Sequence, residues 1–284
     1  MSKLIVNADD FGLHSAVNAA VIDGHRTGII TSTSLLAGGE AFTEAVSMAK
    51  NNPKLGIGVH IALVGGLKPV CNPSEVPSLL TSEGVFPETY IDFMKRIYTG
   101  KINYIELRKE IHAQMERIME SGLHVTHIDG HQHMHVLPTV LPIVIEQAKY
   151  YGINAIRIPD ESSLFVNYMY SPVRLLGKVG LSTVAAKARP TVRDNGMYST
   201  QYFWGMVNGG HINQKTLMGI LKSVSKKSGT HELMIHPGLN NTILGNQYKW
   251  GYHWEDELQA VCSNHTRLYI RQHNIELINY GDLI

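Results

Sequence analysis

The sequence is poor in cysteine and in charged residues. Its 284 residues include two cysteines, Cys71 and Cys262, which lack the short spacing of a metal or redox motif. Two isolated cysteines indicate no disulfide framework, so a reducing, cytoplasmic location is the expectation. Charged residues form 17% of the chain, and the formal net charge is +1. So small an excess of charge gives no indication of a nucleic-acid partner.

Long apolar runs are also missing. The first run, Leu4–Val6, is too short for the core of a signal peptide, and no later run approaches the roughly 20 residues of a membrane-spanning helix. Hydrophobic residues nevertheless make up 44% of the chain, which is enough for a substantial core. We therefore expect a folded protein with no membrane partner.

Short apolar runs alternate with amphipathic stretches along the chain. The apolar runs predict strands near 4–6, 30–37, 55–63, 125–129, 155–159, 197–203, 232–238 and 275–280. Alternation of strand and helix predicts a parallel sheet, and at this length a single α/β barrel of seven or eight mostly parallel strands. No linker divides the chain, so 1–284 is predicted to be one catalytic domain. Residues 160–210 fit the pattern least and are interpreted as an insertion, with one or two helices across 168–187.

The segment 125–135 is the most unusual part of the sequence. It carries four histidines and one aspartate, namely His127, Asp129, His131, His133 and His135. Gly130 indicates that the strand ends there and that a loop follows. Neutral imidazole is the commonest side-chain metal ligand, and carboxylates complete such sites. A solvated loop that happens to be rich in histidine is the alternative, but the density of ligands favours a metal site.

Other chemically active residues also follow apolar runs. Asp9 and Asp10 end the first strand, His60 lies near the end of the third, and His236 marks the end of a later one. The carboxyl ends of parallel strands share one rim of a barrel, so these side chains are predicted to meet there. Arg157 lies within a predicted strand, and it is either a paired charge inside the barrel or a substrate contact.

Five motifs resemble those of the YdjC-like carbohydrate deacetylases, the family that includes chitooligosaccharide deacetylase. They occur in the same order over nearly the whole chain, and the first and fourth are the specific ones: 7–12, 31–33, 58–60, 126–135 and 235–238. The resemblance implies a deformed (β/α) barrel and removal of acetyl groups from N-acetylated sugars or oligosaccharides. It also implies a tendency to form homodimers, for which 160–210 is a candidate interface.

The resemblance further implies a divalent metal ion whose ligands are Asp10, His60 and His131. The family is usually described as magnesium-dependent. Two imidazoles and one carboxylate suit zinc or another transition metal at least as well, because magnesium prefers an oxygen shell. The identity of the ion therefore stays open.

Roles for the remaining residues follow as a hypothesis. Asp9 is the candidate general base, and His236 is the candidate general acid. The backbone would have to turn for Asp9 and Asp10 to face one site, because neighbouring strand residues point to opposite sides. Arg157 or a backbone N–H is the candidate oxyanion donor, and Asp129 either orients a liganding histidine or caps a strand end.

Three histidines and three aromatic residues have weaker assignments. His127, His133 and His135 are candidate substrate contacts, or replacements for His131 as a ligand. Sugar-stacking candidates are Trp204, Tyr248 and Trp250, although isolated aromatic residues more often pack in a core.

Two other classes of function are compatible with the sequence. A metal-dependent phosphoesterase or other hydrolase of a sugar substrate would be favoured by two bound ions. A retaining glycosidase needs two carboxylates that flank the bond, which the adjacent Asp9 and Asp10 do not offer. A non-catalytic sugar-binding barrel would function without Asp9 and His236.

Overall fold

Seven parallel strands form one curled sheet in the computed structural model, which describes residues 1–161 and 172–283. The strands are β1 (Ser2–Phe11), β2 (Ser32–Leu35), β3 (Gly56–Ile61), β4 (Val125–Gly130), β5 (Tyr202–Trp204), β6 (Gly229–Ile235) and β7 (Ile275–Leu277). Their order is β4-β3-β2-β1-β6-β5, and β7 pairs with the first half of β1. The central strands are buried along almost their whole length, as expected for a parallel sheet covered by helices.

Helices follow most of the strands and cover the outside of the sheet. They are α1 (Ser15–Thr27), α2 (Phe42–Lys50), α3 (Tyr90–Tyr98), α4 (Tyr104–Glu120), α5 (Leu141–Tyr151), α6 (Pro172–Asp194), α7 (Gln214–Val224), α8 (Asn241–Gln247), α9 (Trp254–Cys262) and α10 (Asn264–Gln272). None of the helices in the described ranges is both long enough and apolar enough to cross a membrane.

The two ends of the sheet are joined by isolated bridges rather than by a regular strand. Ile128 of β4 bridges to Ile156, and Ala155 bridges to Tyr198, just before β5. The fold prediction, a deformed α/β barrel, is confirmed. The predicted strand at 155–159 is wrong in extent, because pairing is limited to single bridges and Pro159 has no N–H to continue it.

Other boundaries also differ from the sequence prediction. β1 extends through the two aspartates to Phe11, whereas β2 and β7 are shorter than predicted. The predicted helix at 168–187 begins outside the described residues, and its described part continues as α6 to Asp194. The predicted strand at 197–203 is regular only at Tyr202–Trp204.

The long loop between β3 and α3 is held by side chains from α4. The buried carboxylate of Glu110 accepts hydrogen bonds from the backbone N–H groups of Val70 and Cys71, both at 2.9 Å. Gln114 bonds to both the N–H and the C=O of Ala62. The loop is therefore fixed to the scaffold over part of its length, and it supplies one wall of the site described below.

Gly58 in β3 leaves the space that His127 fills inside the barrel. A Cβ atom at position 58 would lie 2.3 Å from His127 Nε2, and the imidazole is stacked on Tyr280 with ring centroids 3.8 Å apart. We expect Gly58→Ala to lower the free energy of unfolding by about 1–3 kcal/mol through overpacking, measured by urea denaturation.

Gly180 provides the matched control for this substitution. It lies in α6, and an added Cβ would meet nothing within 4 Å. Gly180→Ala should therefore be neutral or stabilising by up to about 1 kcal/mol, as for an exposed helical glycine. Equal stability of Gly58→Ala and the wild type would show that the His127 ring is free to move.

Candidate active site

The end of β1 brings two adjacent carboxylates into the barrel. Asp10 has a left-handed backbone with φ 66°, Gly12 has φ 91°, and the pairing with β2 shifts register between Ala8 and Phe11. Aspartate tolerates this conformation better than most residues do. Both Asp9 and Asp10 are buried, so the expected turn is present, and it lies at Asp10 itself.

Asp10 meets two histidines from other strand ends. Its Oδ1 atom lies 3.1 Å from His131 Nδ1 and 3.5 Å from His60 Nε2. Two ligand atoms bound at about 2.1 Å to one ion, at tetrahedral or octahedral angles, are about 3.0–3.4 Å apart. Asp10 Oδ2 and His60 Nε2 are buried and have no hydrogen-bond partner among the described residues. Spacing, orphaned ligand atoms and donor types all fit a divalent ion.

Electrostatics keep the carboxylate of this group charged. Burial opposes the charged form of Asp10, but His131 and His60 outweigh it and hold the pKa well below its usual range. A carboxylate must be deprotonated to bind a metal ion. At His60, burial is likewise outweighed by Asp129 and Asp10, which raise the pKa to about 10, so an ion bound here would have to displace a proton from His60.

Asp129 fixes the orientation of His60. Its Oδ1 atom lies 2.7 Å from His60 Nδ1, which leaves His60 Nε2 facing Asp10. Its Oδ2 atom accepts a hydrogen bond from Ser34 Oγ at 2.5 Å and an ion pair from Arg157 at 2.9 Å. Of the two roles considered for Asp129, this geometry corresponds to orientation of the His60 ring rather than to a cap.

Arg157 is buried in the barrel between three carboxylates. Its two terminal nitrogens donate to the two oxygens of Asp9, each at 2.7 Å. One of these nitrogens, Nη2, also contacts Asp129, and Nε lies 2.7 Å from Glu232. Its side chain has no exposed surface. Of the two alternatives for Arg157, the structure therefore shows the paired charge. The guanidinium has no free face for an oxyanion, so that candidate role is not supported.

Glu232 is a member of this network that sequence reasoning missed. It accepts a hydrogen bond from the Tyr280 hydroxyl as well as from Arg157, and burial raises its pKa to about 7. The sequence did offer one indication of this role, because Glu232 is a charged residue in an otherwise apolar strand. Such a residue needs a buried partner, but the sequence does not show which one.

His236 faces Asp9 from the end of β6. Its Nε2 atom lies 4.0 Å from Asp9 Oδ2, and burial lowers its pKa although Asp9 and Asp10 oppose that shift. Glu257, a buried residue of α9, holds the backbone at His236. Its carboxylate accepts hydrogen bonds from the N–H groups of His236 and Ile212. Glu257 was also missed, because an acidic residue in an amphipathic helix normally indicates a solvated face.

Replacing Glu257 tests how the His236 turn is held. Glu257→Gln keeps the shape but exchanges one acceptor oxygen for an NH₂ group, which leaves one buried backbone N–H facing a donor. We expect the free energy of unfolding to fall by about 1–3 kcal/mol, measured by urea denaturation. Glu255→Gln is the control, because Glu255 lies on the same helix and bonds to Asn240 at the surface. A larger loss in the control would contradict this assignment.

The three remaining histidines of the 125–135 segment have different positions. β4 stops at Gly130, and the next six residues form a kinked 3-10 helix in which His133 has φ 62°. His133 lines the cavity. His127 and His135 are buried away from it: His127 stacks on Tyr280, and His135 bonds to the Arg157 carbonyl at 2.9 Å. For His127 and His135, direct substrate contact is therefore not supported.

A cavity of about 500 Å³ opens over these groups. Asp9, His131, His133 and His236 line its polar part, and Trp250 and Tyr252 supply aromatic walls. The Trp250 ring lies 4.7 Å from the His131 ring, centroid to centroid. Trp204, in contrast, is a core residue that bonds to His231. A proton acceptor and an imidazole thus line the cavity next to the buried group of Asp10, His60 and His131, as hydrolysis of a polar bond requires.

The amino-acid sequence matches a known protein family over nearly its whole length. The family model described as YdjC-like protein matches residues 3–272. The chain belongs to the YdjC-like family. The resemblance seen in the motifs is thereby confirmed over nearly the full length, which includes every residue of the site except Tyr280.

Named relatives cover the same length. A carbohydrate deacetylase from Thermoanaerobacter pseudethanolicus is 30% identical over 283 residues, with 100% of both chains covered. One from Clostridium beijerinckii is 29% identical over 281 residues, covering 99% of this chain and 100% of its own. A solved structure from Enterococcus faecalis V583, named for cellobiose-phosphate cleavage, has 28% identity and a TM-score of 0.80, with 99% and 98% covered.

Proposed function

We propose that this YdjC-like protein is a carbohydrate deacetylase that hydrolyses the N-acetyl amide of a sugar with the help of one divalent metal ion. The observation that carries the proposal is the meeting of Asp10, His60 and His131 in a buried group next to the cavity that Asp9, His131 and His236 line. The names of the curated relatives support the same activity.

Asp10, His60 and His131 would hold the ion. When bound, a divalent ion supplies a Lewis acid for the amide carbonyl and lowers the pKa of a coordinated water. Magnesium is the ion that the family resemblance implies, whereas the two imidazoles favour zinc or another transition metal. We propose a single ion. The other described His/Asp group, Asp9 with His60 and Asp129, has both of its carboxylates paired with Arg157.

Asp9 would act as the general base. It accepts the proton of the attacking water as the oxygen bonds to the acetyl carbon. Arg157 holds both of its oxygens, and the Asn7 amide donates to Oδ1 at 2.9 Å. These bonds fix the direction of the carboxylate. The role of Arg157 is therefore to position Asp9.

His236 would act as the general acid. In its protonated form, its Nε2 atom would donate a proton to the amide nitrogen as the C–N bond breaks, which releases acetate and the free amine of the sugar. The proton that Asp9 takes from water would then restore the protonated imidazole. The pairing with Asp9 places the acid and the base 4.0 Å apart on one wall of the cavity. The hydrogen-bonded turn at Glu257 keeps the imidazole at this wall.

The direct test is acetate release from metal-stripped protein. N-acetylglucosamine, its 6-phosphate and N,N′-diacetylchitobiose would be supplied with magnesium, zinc, cobalt or no metal. We expect metal-dependent release that is lost, by at least about a hundredfold, in His60→Ala and His131→Ala. His124→Ala, an exposed histidine outside the cavity, is the control and should retain wild-type activity.

The alternatives give different results in the same assay. Two ions per chain and no acetate would favour a phosphoesterase. Tight sugar binding without turnover, unaffected by Asp9→Asn and His236→Ala, would favour a sugar-binding barrel. The homodimer stays a prediction, which light scattering of the purified protein would test. Cytoplasmic location also stays a prediction, and cell fractionation would test it.

A further inference from the structure

The turn that follows β5, residues 205–212, forms the wall of the cavity beside His236 and is called the cavity turn below. Met206, Val207 and Gly209 line the cavity from this turn. A Cβ atom at position 209 would lie 3.4 Å from His236 Cε1 and 3.3 Å from Met234 Cε. The backbone at Gly209 is therefore within contact range of the proposed general acid, and a change in its path would shift that imidazole.

Two buried carboxylates hold the cavity turn at its two ends. Glu161 accepts hydrogen bonds from the N–H groups of Gly205 and Val207, at 3.2 and 3.0 Å. Glu257 accepts a hydrogen bond from the N–H group of Ile212 at 2.9 Å. The ends of the turn are thereby fixed to the scaffold, and its tip lies between them.

The tip begins with an Asn-Gly pair, Asn208 and Gly209, which is chemically labile. The backbone nitrogen of the second residue can attack the side-chain amide carbon of the first, and glycine has no Cβ atom to obstruct the approach. Within the described ranges, the Asn208 side chain and the Gly209 N–H make no hydrogen bond, and only the Asn208 carbonyl accepts one, from His211 at 2.7 Å. Both reacting groups are therefore available.

A second Asn-Gly pair in the chain, Asn195 and Gly196, differs in this respect. The Asn195 amide donates to the Thr191 carbonyl at 2.8 Å and accepts from Lys149 Nζ at 2.7 Å. The N–H group of Gly196 donates to the Arg193 carbonyl at 2.9 Å. These three hydrogen bonds must open before the Gly196 nitrogen can reach the Asn195 side chain, whereas the tip of the cavity turn has no such bonds to open.

We propose that Asn208 is a self-modification site, at which asparagine becomes isoaspartate and the protein loses activity with time. The Gly209 nitrogen bonds to the Asn208 side-chain carbon, and the side-chain nitrogen leaves as ammonia. Water then opens the cyclic imide, at one carbonyl to isoaspartate and at the other to aspartate. Isoaspartate lengthens the backbone by one carbon, and either product adds a negative charge to a chain whose formal net charge is +1.

The loss of activity rests on the proposed deacetylase function, whereas the modification itself does not. The test of the modification is incubation of the purified protein at pH 8, followed by mass spectrometry of the peptides that contain each Asn-Gly pair. We expect Asn208 to convert at least about tenfold faster than Asn195, since one or two hydrogen bonds that must open are worth about one order of magnitude in rate. A synthetic peptide of residues 205–212 gives the rate of the unconstrained pair.

The test of the consequence is acetate release by the same samples. We expect kcat to fall in proportion to the converted fraction of Asn208, by at least about tenfold at complete conversion, because misplacement of a catalytic group by about 1 Å can cost about a hundredfold. Asn208→Gln would have to form a larger ring, which closes far more slowly, and should keep its activity over the incubation. Asn195→Gln is the matched control and should lose activity at the wild-type rate.

Two results would overturn the modification site. These are equal conversion of Asn208 and Asn195, and an Asn208 that stays intact while the synthetic peptide converts. Loss of activity at the same rate in Asn208→Gln and the wild type would exclude the inactivation. If no substrate releases acetate, the proposed function fails, and the conversion measured at Asn208 still decides whether the site exists.

Discussion

Asp9→Asn is expected to lower kcat about 10²- to 10⁴-fold while the protein still binds one metal ion per chain. General base catalysis contributes about this much, and an amide oxygen cannot take the proton that a carboxylate takes. Asp9 is the carboxylate with the geometry for the task, because it lines the cavity and faces His236 at 4.0 Å. Acetate release at saturating substrate is the measurement, together with metal analysis of the same sample.

Two controls separate loss of the base from loss of the fold. Asp23→Asn, at an exposed position of α1, should leave kcat unchanged. Calorimetric binding of substrate by Asp9→Asn should persist, since Asp10, His60 and His131 are untouched. Wild-type kcat in a folded Asp9→Asn protein would remove Asp9 from the mechanism, whereas loss of the metal ion would show that Asp9 supports the ligand group instead.

The second large effect concerns stability. Arg157→Met should lower the free energy of unfolding by about 3–5 kcal/mol, which is typical when one member of a buried ion-pair network is removed. The guanidinium faces Asp9, Asp129 and Glu232, and all four side chains are buried. Without it, three buried carboxylates lose the cation that they share. Urea denaturation at pH 7 measures the loss.

The pH dependence of this loss gives an independent check. Burial already raises the pKa of Glu232 to about 7 in the presence of Arg157, and removal of the cation raises it further. A carboxyl group whose folded-state pKa is raised contributes stability below its unfolded pKa and loses it as pH rises. The deficit of Arg157→Met relative to the wild type should therefore be smaller at pH 5 than at pH 8.

A charge-preserving variant covers the case in which Arg157→Met does not fold. Arg157→Lys retains a positive charge but cannot bind both oxygens of Asp9 while it also reaches Glu232. Its stability should lie between those of the wild type and the methionine variant, and its kcat should fall because Asp9 is held less firmly. A methionine variant as stable as the wild type would contradict the network.

The sequence by itself determined the fold class and most of the positions where chemistry could occur. Strands followed by helices require parallel pairing, and parallel pairing places all the carboxyl ends on one rim. Asp9, Asp10, His60, His131 and His236 could therefore be grouped without coordinates, and the structure brings them together. The family was also identifiable, because its motifs are short segments whose order survives low overall identity.

Only the tertiary structure decided which histidines of the 125–135 segment face the cavity. A continuous strand would have pointed all of them to one face, because their positions differ by multiples of two. The chain instead leaves β4 at Gly130 and turns through left-handed residues at Gln132 and His133. His131 and His133 consequently reach the cavity, while His127 and His135 point into the core. Hydrophobic periodicity describes regular elements, and it carries no information about an irregular turn.

The partners of the buried charges were likewise decided only in three dimensions. Arg157 and Asp9 are 148 residues apart, Arg157 and Glu232 are 75 apart, and Glu257 reaches the His236 backbone from a separate helix. A sequence shows that a charge inside an apolar strand needs a partner, because an unpaired buried charge is too costly. It cannot show which distant residue supplies that partner, since pairing across a sheet depends on strand order and register rather than on local pattern.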